Sequence, residues 1–114
     1  MPFIRNTVSK KITKEEAVEL KAALGKSIAL VSGKAECYLM LSIEDGVTMA
    51  YQGDMDTPMA MVEVQLLGAA DPKELDDLTA AITEAYGKIL SIDPARVYVN
   101  YLEFTHWGVG GHNV

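Results

Sequence analysis

The sequence predicts an α+β domain in which two β-α-β units share a four-stranded mixed sheet, with both helices packed on one face. Two amphipathic helical patterns, each flanked by apolar runs of strand length, support this fold. An approximate repeat at an offset of 60 residues supports it further, because it places Ala35, Tyr38 and Leu39 on Ala95, Tyr98 and Val99. The chain has 114 residues, so residues 1–114 are expected to form a single domain.

The first unit begins with a short extended segment, Phe3–Val8. A helix then starts at Thr13 and Glu16, which have the spacing of a capping box. Apolar residues recur along it at steps of three and four, as on one face of a helix. We expect this helix to run to about Ser32, because Gly33 is a natural stop.

Residues 37–43 are largely apolar and predict the second strand. Turn residues at 44–46 end it, and residues 47–51 are expected to return as a short hairpin. After a loop at 54–58, residues 59–67 predict the strand that opens the second unit.

The second helix has a strong start signal. Asp71 is an N-cap candidate, Pro72 occupies the first helical position and Glu74 the third. Residues 96–102 are rich in β-branched and aromatic side chains and predict the last strand.

The predicted strands at 37–43, 59–67 and 97–102 are apolar at nearly every position, which is typical of strands buried on both faces. Two helices on one side leave the other face uncovered. A second copy of the chain is the most economical cover, so the pattern predicts a homo-oligomer. The alternative is a monomer with a ligand groove on that face.

The charge balance argues against nucleic acid and anionic membrane surfaces as partners, because 16 acidic residues outnumber 10 basic ones. The first residues lack the pattern of a signal peptide, and no apolar stretch reaches the roughly 20 residues that span a bilayer. We expect a cytoplasmic protein, with secretion without a signal peptide left open.

Little in the sequence favours a metal site. Cys37 is the single cysteine, and it is expected to be an inert buried thiol in a strand. His106 and His112 flank a glycine-rich tail without a third ligand nearby. We therefore predict no metal and no cofactor.

Pro2 and Lys34 are the first candidates for chemistry. Initiator methionine is normally removed before a small residue, which would leave Pro2 with a free amine. Burial lowers the pKa of such an amine and makes it a usable general base. Lys34 follows the glycine that ends the first helix, where it would either hold an anionic substrate or interact with the helix dipole.

Tyr98 and Asn100 are two residues apart and so face the same side of one strand. An asparagine in an apolar strand must either find partners or face a cavity. Trp107 is expected to line a pocket or an interface.

Several segments together resemble the macrophage migration inhibitory factor family of the tautomerase superfamily. They cover nearly the whole chain in order and spacing: Met1–Pro2, Ser32–Lys34, Met49–Tyr51, Leu67–Gly68 and Ile92–Tyr101. The last of these, combined with Pro2 and Gly33–Lys34, is the most specific.

The resemblance implies a homotrimer with pockets between neighbouring subunits and keto-enol tautomerase activity on phenylpyruvate-like α-keto acids. Pro2 would be the base, Lys34 would hold the carboxylate or the enolate oxygen, and the backbone of Leu67 would help to place it. Tyr98 and Asn100 would come from a neighbouring subunit.

This sequence departs from the family pattern in three places. Residues 59–62 are Met-Ala-Met-Val where some members have Cys-x-x-Cys, so thiol oxidoreductase activity is not expected. Val109 follows Gly108 where an aromatic residue is common, with Trp107 before the glycine, so the aromatic wall of the substrate pocket is altered.

The third departure is the tail, because residues 110–114 lack the Asn-x-Ser-Thr-Phe type of ending that is usual in the family. This altered tail keeps a second function open, a cytokine-like protein that binds a receptor on the same trimer with little catalysis. Dehalogenase or decarboxylase chemistry ranks lower, because it normally needs additional arginines and only Arg5 and Arg96 are present.

Overall fold

A computed structural model describes all residues 1–114 and confirms the α+β architecture with two β-α-β units. The main elements are β1 (Pro2–Val8), α1 (Lys14–Ser27), β2 (Met40–Glu44), β3 (Ala60–Leu67), α2 (Pro72–Leu90), β4 (Val97–Phe104), β5 (Gly108–Val109) and β6 (His112–Asn113). None of the helices combines the length and apolar character needed to cross a bilayer.

The four long strands form one mixed sheet in the order β2-β1-β3-β4. Within each unit the two strands are parallel, β1 with β2 and β3 with β4, as a crossover helix requires. The units meet where β1 and β3 pair antiparallel, with Pro2 opposite Leu66 and Val8 opposite Ala60. The N-terminus therefore lies beside the end of β3.

The helices begin as the sequence predicts. Thr13 and Glu16 make both bonds of the capping box, at 2.9 and 3.1 Å. The Asp71 carboxylate accepts from the backbone N–H of Lys73 at 2.9 Å, with Pro72 in the first turn. Caps of this kind stabilise a helix by about 1 kcal/mol.

The predicted end of the first helix near Ser32 is wrong by several residues, because α1 ends at Ser27. A tighter 3-10 turn, Ile28–Leu30, follows it, and the N–H of Val31 bonds to the carbonyl of Ile28 at 3.1 Å. The backbone winds more tightly in this turn, but the apolar stripe continues through it. The periodicity of apolar residues alone therefore predicted a longer helix.

The core lies between the helices and one face of the sheet. Alternate residues of β3 are buried, including Val62, Val64 and Leu66, and they pack with α1 and α2. The buried stripes of the two helices close this core; they include Leu20, Leu24, Leu78, Ile82 and Tyr86.

Asn6 is the one fully buried polar side chain in that core. Its amide donates to the carbonyl of Ser42 at 2.9 Å, and its oxygen accepts from the Tyr86 hydroxyl at 2.6 Å. Burial raises the pKa of Tyr86, so this hydroxyl stays protonated and remains a donor. The network ties β1, β2 and α2 together.

One face of the sheet is left uncovered by the helices, as the sequence predicts, and it is less apolar than the sequence pattern suggested. We call the face away from the helices the open face; its side chains on the four strands include Phe3, Arg5, Thr7, Met40, Ser42, Glu44, Met61, Glu63, Gln65, Tyr98, Asn100 and Leu102. Many of them are polar, and Arg5 pairs with Glu63 at 3.7 Å. Met40, Met61 and Leu102 lie on this face, which is why the strands look continuously apolar in the sequence.

Two segments before β3 differ from the predictions. Residues 36–38 form a 3-10 turn, β2 starts only at Met40, and Cys37 is exposed rather than buried in a strand. The predicted return at 47–51 is not a strand, because it makes only an isolated bridge between Tyr51 and Asp54.

The tail contains a small hairpin that the sequence analysis did not predict. β5 and β6 pair antiparallel, with Val109 opposite His112. Gly110 and Gly111 form the turn with φ of 61° and 94°, a conformation that glycine adopts without steric cost. The glycine pair was the available signal for this turn.

Candidate active site

Pro2 is the first residue of β1 and is buried. Its neighbours on the buried side of the strand are Ile4 and Asn6, so both the sheet and the core fix its position. With Met1 in place, the Pro2 nitrogen belongs to a peptide bond. It becomes an amine only when Met1 is removed.

Met1 lies in a cluster with Lys34 and Leu67. The backbone N–H of Leu67 donates to the carbonyl of Met1 at 3.1 Å, and the Lys34 ammonium donates to the carbonyl of Leu67 at 2.8 Å. The α-amine of Met1 is close enough to Lys34 for the positive charge of that side chain to lower its pKa. The two predicted polar groups, Lys34 and the Leu67 backbone, are therefore together next to the start of β1.

Lys34 reaches this place because of the turn before it. Gly33 has a φ of 78°, and the N–H of Lys34 bonds to the carbonyl of Val31 at 3.0 Å. Since α1 ends at Ser27, Lys34 lies beyond the last turn of the helix. The helix-dipole interpretation therefore does not fit this position, and the anion-binding role of Lys34 stays a prediction.

The environment at the start of β1 disfavours a charged amine. Burial lowers the pKa of the Met1 α-amine below its ordinary value of 8.0, and the positive charge of Lys34 lowers it further. Pro2 is the more buried of these two residues. An amine on Pro2 would meet the same two effects.

A largely apolar cavity of about 710 Å³ opens beside Pro2. Its walls are formed by Met1, Pro2, Phe3, Cys37, Tyr38, Met40, Gln65, Trp107, Gly108, Val109 and Gly110. Three predicted site residues, Pro2, Trp107 and Val109, are thus brought together. Lys34 and Leu67 do not line the cavity; they contact Met1, which does.

Four further side chains, Phe3, Tyr38, Met40 and Gln65, line the cavity but were not predicted as site residues, and Cys37, predicted to be buried, lines it as well. Gln65 carried a usable signal, because it is a polar residue inside an apolar strand, as Asn100 is. Tyr38 and Cys37 carried none, since their 3-10 turn reads as the start of a strand.

Trp107 is anchored by contacts outside the cavity. Its ring meets Phe104 edge to face, with centroids 6.0 Å apart, and its carbonyl accepts from the N–H of Val114 at 2.9 Å. The β5–β6 hairpin that begins next to it places Gly108 and Val109 on the cavity wall. The tail therefore contributes directly to the site.

Tyr98 and Asn100 are not at this cavity. Tyr98 on β4 pairs with Met61 on β3, and Met61 pairs with Thr7 on β1. Thr7 is five residues from Pro2, so Tyr98 is displaced from Pro2 by roughly 17 Å along the strand direction, at about 3.3 Å per residue. Both side chains lie on the same side of β4, as predicted, and this side is the open face, where Tyr98 is 53% exposed. Within one chain they cannot act together with Pro2.

The tail histidines do not join a metal-binding group. No cluster of three or more His, Cys, Asp or Glu side chains that could hold a metal ion is present. The Nδ1 atom of His106 instead shares a hydrogen bond with the Thr105 hydroxyl at 3.1 Å.

Known proteins share both the sequence pattern and the fold of this chain. The family model described as macrophage migration inhibitory factor (MIF) matches residues 1–113. The crystal structure of Leishmania major MIF2 is similar over 100% of this chain and 97% of its own, with 31% identity and a TM-score of 0.93. The chain therefore belongs to the macrophage migration inhibitory factor family, within the tautomerase superfamily.

Other solved structures agree on the fold. The MIF homologue from Prochlorococcus marinus is 26% identical, with 97% of each chain covered and a TM-score of 0.84. The protein Pt0534, in a structure inactivated by 2-oxo-3-pentynoate, is 18% identical over 97% of this chain and 95% of its own, with a TM-score of 0.83. At that identity it supports the fold alone. No curated protein sequence matches this chain significantly.

Proposed function

We propose that this protein is a cofactor-independent keto-enol tautomerase that acts on phenylpyruvate-like α-keto acids, with the amine of Pro2 as general base. The observation that carries the proposal is the position of Pro2, buried at the start of β1 on the wall of an apolar cavity, with Lys34 beside the preceding residue. Membership of the tautomerase superfamily supports the reaction class.

Removal of Met1 would change two features of the site. It would convert the Pro2 nitrogen from a peptide nitrogen into a secondary amine. It would also free the N–H of Leu67, which now donates to the Met1 carbonyl, and clear the space beside Lys34. These two donors would then hold the carboxylate or the carbonyl oxygen of an α-keto acid.

The reaction needs only one proton to move between two atoms of the substrate. In the enol direction, the neutral Pro2 amine takes a proton from the carbon next to the carbonyl. The electron pair of that C–H bond forms the carbon–carbon double bond, and the protonated Pro2 amine then returns the same proton to the carbonyl oxygen, so that the base is regenerated. Negative charge grows on this oxygen in the transition state, where the Lys34 ammonium stabilises it most.

We further propose that the working form is a homotrimer in which Tyr98 and Asn100 enter the cavity of a neighbouring subunit. The exposure of both side chains on the open face, and their distance from Pro2 in the same chain, support this arrangement. An aromatic ring in the cavity would then lie against Trp107 and Val109 from one chain and Tyr98 from the other.

The test combines the intact mass with an assay on the same sample. Protein whose mass shows that Met1 is absent should ketonise enolic phenylpyruvate, whereas protein made with methionine aminopeptidase inhibited should be inactive.

The alkynyl 2-oxo acid 2-oxo-3-pentynoate is a second probe, since it inactivates Pt0534. It should add once, at the Pro2 nitrogen, only in the processed protein. Negligible turnover of processed protein on several α-keto acids would reject the enzyme and favour the cytokine-like alternative.

The pH dependence should follow the Pro2 amine. The features that lower the pKa of the Met1 amine, burial and the charge of Lys34, also act at Pro2, so its pKa should lie below the ordinary value near 8. Because the neutral amine is the active form, kcat/KM should be level near pH 8 and should fall about tenfold per pH unit below the pKa. A kcat/KM that still rises steeply above pH 8 would contradict a depressed pKa.

A further inference from the structure

Tyr98 is held on the open face by one aromatic neighbour, Tyr51. The two rings meet edge to face, with centroids 5.2 Å apart and planes at 74°. Tyr98 is 53% exposed and lies on β4, an edge strand. Tyr51 is therefore the aromatic contact that limits where the Tyr98 ring can turn.

Tyr51 is in turn fixed by its backbone and by a cation. Its N–H and carbonyl exchange two hydrogen bonds with Asp54, each 3.0 Å long. The Arg96 guanidinium lies over its ring, 5.3 Å from the centroid. Tyr51 belongs to no regular strand, so these contacts determine its position.

Arg96 is fully engaged in the loop that carries Tyr51. Its side chain is 11% exposed and donates to the carbonyls of Pro58 and Thr57 at 3.1 Å and of Asp54 at 3.4 Å. The Asp54 carboxylate, 3.9 Å away, has its pKa lowered to about 2, first by the Thr57 hydroxyl, and so carries a full negative charge. A guanidinium engaged in this way supports the loop and has few donors left for a substrate.

We infer that Tyr51, supported by Arg96, is a positioning residue that fixes the Tyr98 ring for the cavity of the neighbouring subunit. The inference rests on the proposed function, because it takes Tyr98 to contact substrate across the trimer interface. Its mechanism is preorganisation: a ring that is already oriented loses less freedom when substrate binds. Tyr51 itself contacts no reacting atom.

The kinetic test replaces Tyr51 in processed protein. An edge-to-face pair stabilises by an amount that corresponds to a change of about 3- to 10-fold in binding, so Tyr51→Leu should raise KM for phenylpyruvate by that factor. The value of kcat should change less than about twofold, because the base and the anion site are untouched. Tyr51→Phe keeps the ring and is the matched control, with wild-type KM expected.

A double mutant separates positioning from a general structural effect. Adding Tyr51→Leu to Tyr98→Ala should leave KM where Tyr98→Ala alone puts it, since no ring remains to be positioned. If the double mutant raises KM by the product of the two single factors, the two residues act independently and the inference is overturned. A wild-type KM in Tyr51→Leu would overturn it as well.

A measurement without substrate tests the contact even if the proposed function fails. In protein with 13C-labelled tyrosine, the Tyr98 ring signal, assigned by its loss in Tyr98→Phe, should be shifted by the Tyr51 ring in wild type and in Tyr51→Phe. In Tyr51→Leu it should move towards the value of a free tyrosine. An unchanged Tyr98 signal in Tyr51→Leu overturns the positioning role whatever the turnover is. A failure of the enzyme proposal appears separately, as processed wild-type protein without turnover.

Discussion

Replacement of Pro2 by glycine should lower kcat/KM for phenylpyruvate by about 10²- to 10⁴-fold, the usual contribution of a positioned general base. Glycine still allows Met1 to be removed and still leaves an α-amine. It lacks the ring that fixes the nitrogen at the start of β1, and it removes a buried apolar group that lowers the pKa of the amine.

Turnover of Met1-free protein, verified by mass, is the measurement for Pro2→Gly. Lys26→Ala, which removes a lysine in the last turn of α1 outside the cavity, is the control for unspecific effects and should retain wild-type kcat/KM. Equal rates for Pro2→Gly and wild type would remove Pro2 from the mechanism and leave the family fold without this base.

Asn6→Ala should reduce the free energy of unfolding by about 3 kcal/mol, a large effect for one side chain on the sheet. The change leaves the buried Tyr86 hydroxyl and the Ser42 carbonyl without their partner and opens a small cavity between β1 and α2. Each buried polar group left unpaired costs about 1 to 3 kcal/mol.

Urea unfolding at a fixed protomer concentration measures this effect, since an oligomer's stability depends on concentration. Tyr86→Phe is the matched comparison: it removes one hydrogen bond and keeps the packing, so it should cost about half as much. If Asn6→Ala unfolds within about 0.5 kcal/mol of wild type, the network does not hold the sheet and α2 together.

Most of the fold could be predicted because its signals are local. The capping residues Thr13 and Asp71 mark the helix starts, and the repeated pattern of strand, helix and strand gave the two units. The structure differs from the prediction in two segments where the backbone is wound more tightly. Ile28–Leu30 and Glu36–Tyr38 form 3-10 turns, but their apolar residues predicted the end of a helix and the start of a strand.

The candidate site could be predicted only in part, because its residues come together through the sheet. Pro2, Trp107 and Val109 do line one cavity, and Lys34 and Leu67 meet next to it. The opposition of Gln65 to Phe3 is a matter of strand register, which a single sequence does not reveal. Tyr98 and Asn100 lie away from this cavity, and in the proposed trimer they would reach it only from a second copy of the chain.

The hydrogen bonds at Leu67 bear on how far the sequence can diverge at this position. Both of its groups at the site are main-chain groups, the N–H that faces Met1 and the carbonyl that holds Lys34. Nearly any side chain at position 67 would preserve them, and proline alone would delete the N–H. One of the two donors of the proposed anion site therefore does not depend on which side chain stands at position 67. Distant relatives can vary at this position and still keep the donor.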